Sequence, residues 1–179
     1  MKGSLPRRYA RALIGIAREG SQIEGYGKEL RRLVAVTERS PEILAALSSS
    51  SFESSDRLAA MGKISEHVGF SPMIRNFFLL LVEKNRIGLL PEIAREYQRF
   101  QDEILGIVRV HVMAPTVPTP AVLGRVEEIL GTRVKKKVLA HGSSKSEMIG
   151  GLVLKVGHVV YDGSVQRELE RMREMMLKV

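Results

Sequence analysis

Residues 90–112 read LPEIAREYQRFQDEILGIVRVHV, and the hydrophobic period changes inside this stretch. Leu90, Ile93, Tyr97, Phe100 and Ile104 follow one another at steps of three, four, three and four, the stripe of an amphipathic helix. After Leu105-Gly106 the step falls to two: Val108, Val110 and Val112 alternate with Arg109 and His111, as on a half-buried strand. A boundary near residue 105 therefore separates a helical first part from a second part that contains strands.

The preceding residues repeat the helical period. Leu5, Tyr9, Ala12, Leu13, Ile16 and Ala17 form one face, interrupted at Gly20-Ser21; Ile23, Tyr26, Leu30 and Leu33 form the next. Ser40-Pro41 stops that run, and Glu42–Leu47 has room for a short helix. A serine-rich loop over 48–55 leads into a helix over 56–67, with Ser54 or Ser55 as its cap, and Gly69 ends it. Ser71-Pro72 opens a helix with proline in its first turn. Over Phe77–Val82 that helix is apolar nearly all round, so more than one of its sides must be covered. Five or six such helices with short connections predict an antiparallel bundle.

Beyond the first strand, Ala114–Pro120 holds three prolines and breaks regular structure. Thr119-Pro120 starts a helix with Val122, Val126, Ile129 and Leu130 on its face, closed by Gly131. Residues 134–140 predict a second strand, 141–147 a polar loop, and 152–156 and 159–161 two more strands turning at Gly157-His158. Ser164 caps a last helix whose stripe is Val165, Leu169, Met172 and Met176. The fold class is mainly α, with residues 1–105 as a helical bundle and residues 106–179 as a small α/β domain.

Composition narrows the chemistry. The chain has 179 residues, 44% hydrophobic and 27% charged, which suits one or two globular domains. The absence of cysteine removes disulfides, thiolate metal sites and cysteine nucleophiles. No apolar run approaches the roughly 20 residues of a membrane helix, and arginines interrupt the N-terminal apolar stretch, so a cytoplasmic protein is expected. His67, His111, His141 and His158 stand apart without zinc spacing, Lys145-Ser146 lacks the glycines of a phosphate loop, and Glu127-Glu128, Glu168, Glu170 and Glu174 read as solvated helix faces. An enzyme, a metal and a cofactor are all unexpected. The net charge of +8 leaves a basic nucleic-acid-binding protein as the alternative. That reading is weakened because basic residues are mixed with acidic ones along the helices, and aromatics do not interleave with them. The one dense basic run, Lys135-Lys136-Lys137, reads as a solvated strand or loop.

Three segments carry a family resemblance. YARALIGIAREG (residues 9–20), LLLVEKNRIGLLPEIAREY (79–97) and IGGLVLKVGHVVYDGSVQREL (149–169) resemble, in order, the opening helix, the Asn-Arg turn segment and the Gly-Gly strand of the F-type ATP synthase delta subunit family, whose mitochondrial relative is the oligomycin-sensitivity-conferring protein. Residues 142–147 depart from that pattern, being rich in serine and lysine. The resemblance implies a six-helix N-terminal bundle, a small C-terminal α/β domain and no catalysis. It implies a peripheral-stalk subunit of a hetero-oligomeric complex, on the cytoplasmic face of the cell inner membrane, linking head and stalk so that proton-driven rotation is coupled to ATP synthesis. Its expected partners are the alpha subunit, whose N-terminal helix would lie between the first and fifth helices, and the b subunit through its C-terminal end. The candidate alpha-binding residues are Arg8, Ala12, Gly15, Phe78 and Leu81. The candidate b-binding residues are Val165, Leu169, Met172 and Met176.

Overall fold

A computed structural model describes residues 4–49, 51–157 and 159–177; His158 lies outside these. The protein is mainly helical with one small sheet. In chain order come α1 (Ser4–Glu19), α2 (Ile23–Arg39), α3 (Pro41–Ser48), α4 (Ser54–Val68), α5 (Pro72–Glu83), a 3-10 turn (Ile87–Leu89) and α6 (Leu90–Leu105). Then follow β1 (Ile107–Ala114), α7 (Pro120–Val134), β2 (Lys137–Ser144), β3 (Gly151–Val156), β4 (Val159–Ser164) and α8 (Val165–Met176). The chain divides into two compact units, the first ending at Gln101 and the second beginning at Asp102. The division lies inside the last turn of α6, where Asp102 accepts from Arg109 Nε at 2.6 Å and Nη2 at 2.9 Å.

The first unit is built on one apolar core. Leu13, Leu30, Leu33, Met61, Phe78 and Tyr97 are among its fully buried side chains, drawn from α1, α2, α4, α5 and α6. On α1 the inward arc is Ala10, Leu13, Ile14 and Ala17, while Ala12 and Ile16 lie outside. The stripe expected from periodicity is therefore rotated by about one residue, because α1 mixes apolar residues into both arcs. Gly27 lets α2 meet α6 closely: a Cβ there would lie 3.2 Å from the Tyr97 ring. The Tyr97 hydroxyl donates to the Ile23 carbonyl at 2.9 Å, and burial pushes its pKa up.

Helix ends in the first unit follow the predicted signals with one change. Gly69, with φ of 73°, closes α4, and Pro72 occupies the first turn of α5. The N-cap position of α4 is Glu53 rather than Ser54 or Ser55, with no side-chain capping bond, and the helix starts two residues earlier than expected. Ser71 precedes α5, but its hydroxyl donates to Glu29 of α2 at 3.0 Å, as its amide does at 2.8 Å.

In the second unit the strand order is β2-β1-β3-β4. The β1–β2 pair is parallel, joined through α7; β1–β3 and β3–β4 are antiparallel. One face buries Val110, Val112 and Val138 beneath Leu123, Val126 and Leu130 of α7. Val122 and Ile129, predicted on that same helix face, are exposed. Helix α7 also runs past Gly131 to Val134, where Lys135 turns the chain with φ of 53°. The expected polar loop after Ala140 is partly strand: β2 continues through Ser144, because every residue from Lys137 pairs with β1. Backbone pairing outweighs the polarity of these side chains. Glu127 is not simply solvated, since Oε1 accepts from the Ala140 amide at 2.7 Å.

Two substitutions test this packing. Phe78→Ala should lower the free energy of unfolding by about 3–5 kcal/mol, read by chemical denaturation, because it empties a fully buried site. Gly151 has φ of 86°, and a Cβ would meet the Gly163 carbonyl across the β3–β4 pair. Gly151→Ala should therefore broaden or lose the amide NMR signals of β3 and β4 before those of the first unit.

Candidate functional site

The described residues hold no group of three or more His, Asp or Glu side chains able to bind a metal ion. What they do present is uncovered apolar helix surface in each unit.

In the first unit this surface runs along a seam between α1 and α5. The Tyr9 and Phe77 rings meet edge to face, 6.3 Å apart at 69°. Arg86 donates to the Tyr9 hydroxyl and stacks over its ring at 5.7 Å. Helical spacing carries the Tyr9 flank through Leu5, Ala12 and Ile16, and the Phe77 flank through Met73 and Leu80. Ile16 and Leu80 are each 41% exposed and Met73 38%. Two flanks of neighbouring helices thus leave an apolar strip in water.

The predicted alpha-binding residues divide on this seam. Arg8, Ala12 and Gly15 are exposed on α1, and a Cβ at Gly15 would find nothing within 4 Å. Phe78 and Leu81 are a correction: both are 0% exposed, on the inner side of α5. The Phe78 ring packs against Phe70 at 5.1 Å and Phe77 at 6.2 Å, so no guest reaches it without opening the core. The solvent-side residues of α5 that reasoning from sequence misses are Met73 and Leu80. Periodicity cannot separate them, because a helix apolar nearly all round gives no phase.

In the second unit the uncovered surface is α8. The Ser164 hydroxyl caps it, accepting from the Arg167 amide at 3.2 Å. The Ser164 side chain and amide also hold the Asp162 carboxyl below its ordinary pKa, with the amide at 2.9 Å. None of the helix's residues is buried. Val165, Leu169, Met172 and Met176, at steps of four, three and four, are 43, 55, 47 and 73% exposed. Ion pairs Arg167–Glu170 and Arg171–Glu168 occupy its polar side. A twelve-residue amphipathic helix is marginal alone in water, and this apolar stripe is exposed along its length. Met175 and Leu177 extend it, and Val159 and Tyr161 add exposed apolar area on β4; sequence periodicity singles out none of these four.

Comparison with known proteins gives a consistent result. The family model described as "ATP synthase delta (OSCP) subunit" matches residues 5–176. The ATP synthase subunit delta of Desulfatibacillum aliphaticivorans is 35% identical, covering 95% of this chain and 93% of that protein. That of Geobacter sp. (strain M21) is 32% identical over 98% and 97%. In fold, the chain is similar to one in the cryo-EM structure of the Toxoplasma gondii mitochondrial ATP synthase hexamer. The TM-score is 0.72 at 19% identity, covering 97% of this chain and 98% of that one. With the family model matched over residues 5–176 and two relatives more than 30% identical along nearly the whole chain, this chain belongs to the ATP synthase delta (OSCP) subunit family.

Proposed function

We propose that this protein is a non-catalytic subunit of the peripheral stalk of an ATP synthase complex. It ties the catalytic head to the membrane-anchored stalk, so that proton-driven rotation is coupled to ATP synthesis. The α1/α5 strip receives the N-terminal helix of an alpha subunit, and the α8 stripe receives the C-terminal end of the b subunit. The observation that carries this reading is the presence, in each of the two units, of an amphipathic helix face left in water among the described residues. No helix among the described residues is long and apolar enough to cross a membrane. Attachment at the cytoplasmic face of the cell inner membrane therefore runs through the partners.

Magnitudes favour two contacts over one. Four or five apolar anchors on the α1/α5 strip, each worth about 1.5–3 kcal/mol when buried, give roughly 6–15 kcal/mol gross. Association costs about 4–15 kcal/mol, so a single strip spans the range from weak to firm. Holding a second partner through α8 raises the local concentration of the first, which slows escape under torque without any new contact.

Leu80→Asp and Ile16→Asp place a charge on the strip without entering the core. Each should weaken binding of a peptide from the alpha N-terminus at least tenfold by calorimetry, with an unchanged thermal unfolding midpoint. Unchanged peptide affinity in both variants would remove this assignment. Leu169→Asp with Met172→Asp should abolish pull-down of a segment from the C-terminal end of the b subunit while leaving peptide affinity intact; retained pull-down would remove the α8 assignment.

A further inference from the structure

The sheet has two faces, and only one lies under α7. The other carries the alternate residues of each strand, and its centre is basic. Parallel register sets His111 of β1 directly beside His141 of β2, and antiparallel register sets Lys155 of β3 on the other side of His111. Strand partners share a face about 4.8 Å apart, so the three side chains form one row across three strands. All three are exposed. With Arg109, Val110 and Gly157 they line a shallow depression of about 460 Å³.

The row holds one fixed cation, Lys155, with two imidazoles beside it, and like charges directly opposite one another on a sheet are destabilising. No acidic residue occupies the row: beyond Lys155 the register continues to Val160. Asp102 of α6 is paired with Arg109 through both oxygens, and the one carboxylate that the strand pairings set on this face is Asp162, beside Val153 and one pair further along than Lys155. Next to His111 stands a hydroxyl, Ser143 Oγ, 2.8 Å from Nε2. Lys137 adds a further exposed cation on this face of β2.

We propose that this open sheet face docks an acidic peptide segment of a protein partner, whose carboxylates seat on the His141–His111–Lys155 row. The row answers a charge requirement that the two apolar faces assigned above do not. A carboxylate seated beside an imidazole favours the imidazole's protonated form, so a bound acidic peptide can bring further positive charge next to Lys155. Binding then takes up protons. Glutamate, with an ordinary pKa of about 4.3, is largely ionised at both pH 6 and pH 8, so a glutamate peptide changes its own charge little between them.

The test titrates an end-blocked, eight-residue oligoglutamate peptide into the full chain at low salt, at pH 6 and pH 8, followed by side-chain NMR of the imidazoles. The His111 and His141 signals should saturate together, with affinity at least fivefold tighter at pH 6, while exposed His67 of the first unit does not follow. His111→Gln with His141→Gln should abolish the pH dependence, and Lys155→Gln should weaken binding at both pH values. The proposal is overturned if His67 responds as strongly as the row, which is diffuse attraction to a basic protein. It is equally overturned if His111 and His141 do not shift, or if the double variant keeps the pH dependence.

Discussion

An amphipathic helix gains most of its stability when its apolar face is covered, and among the described residues the α1/α5 strip and the α8 stripe are left open. Helix α5 already gives Ile74, Phe78, Leu81 and Val82 to the core, and its flank at Met73 and Leu80 points outward. Helix α8 follows β4 directly and has no buried residue. The remaining architecture holds these faces in place: Tyr9, Phe77 and Arg86 fix the seam between α1 and α5, and the Asp162–Ser164 turn sets where α8 begins. For the proposed link between head and stalk, rigid placement is an advantage, because ordering a loose surface at the moment of binding subtracts from affinity.

Polar groups in the first unit serve the same end. Glu29 accepts from the amide and hydroxyl of Ser71, fastening α2 to the start of α5. The Tyr97 hydroxyl reaches the Ile23 carbonyl at the start of α2, and Arg57 donates to Asn85 at the turn that follows α5. Each bond contributes about 1 kcal/mol net, little beside the apolar core, but each also fixes a register that hydrophobic packing alone leaves free to slide.

Much of this is legible in the sequence where one period dominates. The stripe of α6, the alternation of β1, the Pro72 start, the Gly69 stop and the Ser164 cap all carry a local signal that tertiary packing does not overturn. Legibility fails where two signals compete. Phe77–Val82 is apolar at every position, so nothing in it distinguishes Phe78, inside, from Leu80, outside. On α1 both arcs carry apolar residues, which moves the inferred face from Ala10 and Ile14 to Ala12 and Ile16. Strand β2 extends over His141–Ser144 because its partner is parallel β1, a non-local pairing with no trace in side-chain polarity. The α8 stripe is legible as a stripe; sequence does not say whether it lies on its own sheet or in solvent.

If the two open faces exist to be covered by other chains, their backbones should be protected only when those chains are present. Hydrogen–deuterium exchange of the full chain, alone and with the alpha peptide and the b segment added, tests this most directly. Exchange across α8 should be rapid in the free protein and slowed at least tenfold by the b segment, and the alpha peptide should slow exchange at the exposed edge of α1 and α5. Strong protection of α8 in the free chain, unchanged by either partner, would contradict it.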